Sequence, residues 1–243
     1  MSSPMATATL TPPPTAPRDL RRTWRVLLAV TAPVGAAAVA LSRVLAPYDT
    51  TDDTATAFER VAADLGAAQL NAWLGVVGVL FLLPGVVAVA MVTRRRTPLL
   101  TTWAVGIAFL AYTAGIASPT LDVMAIAAAE EGGTVEAVRL VDAMAAQPTA
   151  STLLGLFVIG HIVGTVLLGL ALLRSRAVPA WVAVALVVSQ PVHLVSFVTG
   201  LAWLDLVAGW GFTAVGFAGA GGALLRMRDD DFDLPPTGSP AAR

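Results

Sequence analysis

The chain has two histidines, His161 and His193, and both fall inside long apolar stretches, as does Asp205. An imidazole can move a proton near neutral pH or ligate a metal, and a nearby carboxylate can orient it. Spacing suggests that these three could meet. If Ser151 begins one helix, His161 lies roughly 15 Å along it at 1.5 Å per residue. If Gly200 ends the next helix, His193 lies roughly 10 Å from that end. The turn near Gly200 is short, so the helix carrying Asp205 should run antiparallel beside the one carrying His193. Their side chains then fall within about one helical turn of depth.

Both histidines sit on polar or small-residue faces. His161, Thr165 and Gly169 recur at i, i+4 and i+8, beside the pair Gly160 and Gly164. Ser189, His193, Ser196 and Gly200 share one side of the following helix. Glycines four apart let backbones approach, and hydroxyls bond across helices, so Gly160 and Gly164 are expected at a helix–helix contact. The plainest reading is a buried polar cluster of His161, His193, Asp205, Ser189 and Thr165, with neutral imidazoles satisfied inside a bundle. Three sharper readings stay open: a proton or solute path, a metal site of His161, His193 and Asp205, and a haem held by the two histidines. None has a supporting motif, so no catalytic, cofactor-binding or metal residue is assigned and no cofactor is expected.

Recognised catalytic patterns are missing. The sequence contains no Gly-x-Ser-x-Gly and no His-Glu-x-x-His. Lysine is absent, which rules out a phosphate-binding Gly-x-x-x-x-Gly-Lys. Cysteine is absent too, which removes disulfides, thiolate sites and cysteine nucleophiles.

The elements that must position these residues are apolar helices. Stretches 26–42, 65–93, 97–121, 143–173, 177–204 and 206–225 contain no Asp, Glu, Lys or Arg. A hydrocarbon core about 30 Å thick takes about 20 apolar residues of helix to cross. The composition agrees, at 56% hydrophobic and 13% charged, against about 25% charged in soluble domains. The predicted fold class is therefore all-α: a polytopic membrane protein with six transmembrane helices in a bundle. The spans are placed at about 24–46, 70–92, 99–118, 151–173, 178–200 and 203–225. Residues 1–23, rich in Ser, Thr, Pro and Ala, read as a disordered tail, and 229–243 as a disordered acidic tail. Ala38-Val39-Ala40 has a small-x-small cleavage pattern, but the proline-rich lead-in and full-length apolar stretch favour a retained first span.

Charge sets an orientation. Arg18, Arg21, Arg22, Arg25, Arg94, Arg95, Arg96, Arg174, Arg176, Arg226 and Arg228 mark one side, whereas the alternate loops carry mostly Asp and Glu. By the positive-inside rule both termini are cytoplasmic. Trp24, Trp103 and Trp181 fall near that interface and Trp73 and Trp203 near the other. Arg43, near the outer end of the first span, is expected to snorkel to the headgroups. In the outer loops, Phe58, Val61, Ala62 and Leu65 recur at helical spacing. Thr120 and Thr134 are placed as helix N-caps flanking the break at Glu130-Glu131-Gly132-Gly133. No basic groove with interleaved aromatics exists, so nucleic acid is not an expected partner. The lipid bilayer is, and a homo-oligomer or other membrane proteins stay open.

The stretch LGLALLRSRAVPAWVAVALVVS (168–189) resembles poorly characterised six-span integral membrane proteins of high-GC bacteria, in which a Leu-rich span, an Arg-containing turn and Pro-x-Trp recur. The resemblance covers about 24–228 and implies topology without an activity. The exclusive use of arginine among basic residues fits such a genome. The expectation is an integral protein of a bacterial plasma membrane, non-enzymatic, with a sensing or scaffold role. The alternatives are a small-solute or ion transporter using buried polar residues of spans 4–6, and a haem- or metal-dependent enzyme using His161 and His193.

Overall fold

The computed structural model describes residues 18–117 and 119–233. Every regular element in that range is helical. Helices α1 (Arg21–Thr31) and α2 (Val34–Leu45) form the first span, interrupted at Ala32–Pro33. Pro33 has no N–H to donate and its ring crowds the preceding turn, so the expected continuous helix breaks there. Helix α3 (Thr54–Ala63) follows, and α4 (Leu65–Thr93) is the second span. The third, α5 (Pro98–Ala114), begins on proline, whose missing N–H costs nothing at a first helical position. After the 3₁₀ turn Gly115–Ala117 come α6 (Pro119–Glu131) and α7 (Thr134–Ala145). Helices α8 (Pro148–Ser175) and α9 (Ala180–Thr199) are the fourth and fifth spans. The last combines α10 (Ala202–Leu204), a π turn over Asp205–Gly209 and α11 (Trp210–Arg226), followed by the short α12 (Asp229–Phe232).

Among the described residues, six helical stretches are long and apolar enough to cross a membrane. Their outer surfaces are apolar as well: Leu110, Ile159 and Val198 are 60%, 66% and 67% exposed. In water such a belt would be a liability; in lipid it is the required solvent-facing surface. Lipid offers no hydrophobic drive for helices to associate, so close van der Waals packing must hold the bundle. Small residues occupy its seams. Gly160 and Gly164 of α8 lie against Ala111 and Ala108 of α5, where an added Cβ would stand 2.8 Å from either neighbour. Gly35 of α2 meets the α4 backbone at Phe81–Leu82, Gly216 of α11 faces Leu186 of α9, and Gly85 of α4 receives the ring of Phe217.

The two ends differ. At one end α3, α6 and the start of α4 enclose a small second core around Phe58, Val61, Ala72 and Ile126. Here α6 begins at Pro119 and α7 is preceded by Gly133, so Thr120 and Thr134 lie just inside their helices rather than at the caps. The break between them falls at Gly132, whose φ of 73° suits glycine. At the other end, arginines gather the start of the acidic tail. Asp229 pairs with Arg25 at 2.9 Å, Asp230 with Arg21 and Asp231 with Arg95, both at 2.7 Å. The first part of that tail, Asp229–Phe232, is a short helical turn in which Asp229, Asp230 and Asp231 each meet a guanidinium. At the N-terminus, α1 starts at Arg21, inside the tail expected over 1–23; residues 1–17 and 234–243 lie outside the described residues.

Candidate functional site

Asp205 begins the π turn that opens the last long helix. A π turn widens the helix by one residue and often marks a functional position. Gly209 makes this one workable: a Cβ there would collide with the Asp205 carboxylate, which folds back beneath its own helix. The carboxylate has no exposed surface. It accepts from His193 Nδ1 at 2.8 Å and from Arg43 Nε at 2.9 Å. Arg43 therefore does not snorkel outward. Its side chain is only 15% exposed, because a buried carboxylate at the same depth offers a stronger partner than headgroups do.

Beside this triad stands His161, 2% exposed. Its ring stacks on Phe157 at 4.8 Å and on Trp210 at 5.7 Å, and lies 5.5 Å from the His193 ring. His161 Nδ1 lies 2.8 Å from the Phe157 carbonyl, a contact only an N–H can make, so Nδ1 donates. That leaves Nε2 as an acceptor, buried and with no protein partner.

Arg43, Phe157, His161, His193 and Trp210 line a partly open cavity of about 350 Å³ between α2, α4, α6, α8, α9 and α11, with Asp205 buried behind it. A second polar group closes its other side. Tyr48, in the loop after α2, donates to Asp122 of α6, and Asn71 of α4 donates to the same carboxyl at 3.4 Å. Because the Asn71 amide nitrogen faces Asp122, its oxygen faces away, and Asn71 Oδ1 is buried without a partner. Burial, and then the neighbouring Asp122, push the Tyr48 phenol well above its ordinary range, so it stays a donor.

Thr165 and Ser189 stand apart from the cavity. Thr165 shares a hydrogen bond with Tyr112 of α5 at 2.6 Å. Ser189 donates to the Leu186 carbonyl and accepts from Thr213 at 3.0 Å, in a patch that includes Gln190. His161, His193 and Asp205 are thus brought together, while Thr165 and Ser189 tie helices at other points. Gly160 and Gly164 belong to the α5–α8 seam. No group of three or more His, Cys, Asp or Glu is arranged to hold a metal among the described residues.

Sequence reasoning missed Arg43 as an internal ion, and it passed over Asn71, Asp122 and Trp210 as site residues. Signals existed for two of them. Asn71 is an amide inside a charge-free stretch, and Trp210 is a tryptophan that neither interfacial belt uses.

Six apolar helices around a partly polar internal cavity define a multi-pass helical membrane protein. The chain belongs to the family described as a domain of unknown function, DUF4386, whose model matches residues 20–225 and so spans every residue of the site. No curated protein and no solved structure matches it.

Proposed function

We propose that this is a non-enzymatic receptor-like protein of a bacterial plasma membrane that binds a small, partly apolar molecule in the cavity beside His161. The cavity itself carries this reading, together with two acceptors buried without partners on residues that line it, His161 Nε2 and Asn71 Oδ1. An unsatisfied buried polar atom costs roughly 1–3 kcal/mol, and both atoms belong to residues lining one cavity. A ligand donor that reached either atom would relieve its cost, and Phe157, Leu194 and Trp210 supply an apolar bed. The arrangement of arginines supports cytoplasmic termini, which opens the cavity toward the outer leaflet.

Gly75 lines the cavity, and a Cβ there would meet Pro119 at an ordinary 3.5 Å, so Gly75→Leu should fill the space without straining the backbone. The test is equilibrium binding of 2-phenylethanol to protein in nanodiscs, corrected with empty nanodiscs. Saturable binding lost in Gly75→Leu supports the reading; identical uptake by both proteins overturns it.

A second reading, solute transport through the same cavity, draws on the broken last span and on Pro191 within α9. Interrupted helices at a midplane site are a transporter feature. Counterflow of labelled probe across proteoliposomes separates transport from binding alone. For the metal-dependent alternative, the Asp205 oxygens already accept from Arg43 and His193. A visible spectrum of the purified protein decides the haem alternative.

A further inference from the structure

The charges around the cavity are unequal, and this points to a ligand class. Two charged residues line it, Arg43 and Asp122. The Arg43 guanidinium is taken by Asp205 at 2.9 Å. Asp122 has no such cation: its side-chain partners are the Tyr48 hydroxyl and the Asn71 amide, both neutral donors. No salt bridge reaches it from any arginine among the described residues. Such a carboxyl group, once ionised, attracts a cation and repels an anion, and a cation beside it favours that ionised form.

The unpartnered atoms have matching chemistry. His161 Nε2 and Asn71 Oδ1 are acceptors, 2% and 3% exposed as residues, and neither can serve a ligand that only accepts. An ammonium carries three donors and no acceptor capacity. Phe157 and Trp210 also line the cavity and offer contact for an apolar body. A metal ion would find too few donors, and a bare ammonium ion would leave most of the cavity unfilled.

Resting on the reading above, we propose that the cavity selects a small protonated amine with an apolar or aromatic body, its ammonium group facing Asp122 and its body lying against Phe157 and Trp210. The amine supplies the positive charge that Asp122 lacks. Its presence also favours the ionised carboxylate.

Three probes of nearly one shape test this: 2-phenylethylamine, 2-phenylethanol and phenylacetate, bound to wild-type protein in nanodiscs at pH 7. Hydrogen bonds to a charged group exceed neutral ones by enough to give roughly tenfold in affinity. The expected order is amine roughly tenfold tighter than alcohol, with phenylacetate weakest. Asp122→Asn should bring the amine down to the level of the alcohol bound by the same variant. If that variant does not fold, the wild-type order still decides. Alcohol binding as tightly as amine, or phenylacetate binding tightest, overturns the amine proposal and leaves the cavity reading standing. Saturable binding by none of the three overturns both.

Discussion

Asp205 accepts a hydrogen bond from His193 at 2.8 Å while wholly buried, which ties the C-terminal half of α9 to the π turn of the last span. Arg43 completes the arrangement from α2, so three spans meet at one carboxylate. Removing one partner of a buried ion pair leaves a charge in a poor solvent and costs roughly 3–5 kcal/mol. Arg43→Leu should therefore lower thermal stability in detergent far more than loss of a lipid-facing arginine would. A double-mutant cycle of His193→Ala with Asp205→Asn should give a coupling above ~0.5 kcal/mol. Additive effects would mean that the contact carries no energy.

The α5–α8 seam gives a second prediction. Gly164→Leu must push its side chain into the backbone of Ala108, which stands 2.8 Å from the position of the new Cβ. Overpacking of this kind costs about 1–3 kcal/mol. Folded yield after detergent extraction should fall, whereas Gly106→Leu, at a position with no neighbour within 4 Å, should be extracted like the parent. Equal yields would show that the seam yields to a large side chain.

Much of the architecture was legible in the sequence, because lipid forces it. A helix crossing hydrocarbon must bury its backbone bonds and shed its charges, so charge-free stretches alone locate the six spans. Pro33 broke the first span at a place where apolar length gave no warning. The candidate site was legible only in part. His193 and Asp205 could be connected because a short turn fixes two antiparallel helices at similar depth. Arg43, Asn71 and Asp122 come from distant parts of the chain, and nothing local states which way a side chain near a helix end will turn. Arg43 turned inward because Asp205 was there, a partner 162 positions away.

Helix α3 offers a pH-dependent prediction outside the spans. The Asp53 side chain accepts from the Thr56 N–H at its N-terminus. Hydrogen bonding from the Thr56 side chain, and then from its N–H, holds the carboxyl below its ordinary value of 3.8. A lowered folded value means the cap stabilises the helix above the ordinary value and is lost as pH falls through the lower folded one. Protection of the Thr56 amide, its exchange rate set against the intrinsic rate at the same pH, should fall as pH drops below 3.8, and Asp53→Ala should show the reduced protection already at pH 7. Thr56 protection independent of both would exclude the cap.

Orientation is open to direct measurement. Reporter fusions after Arg95 or Arg176 should behave as cytoplasmic, and fusions within 130–140 as external. The opposite pattern would invert the protein and turn the cavity toward the cytoplasm.

The most direct measurement concerns Trp210, which lines the cavity and is 3% exposed. In a variant keeping Trp210 as its only tryptophan, the bromine of 2-(4-bromophenyl)ethanol should quench fluorescence only from within the cavity. Saturable quenching that disappears in the same variant carrying Gly75→Leu is the expected result. Quenching that rises linearly with probe and is equal in both proteins would mean that the probe only partitions into lipid, and would contradict a binding site beside His161.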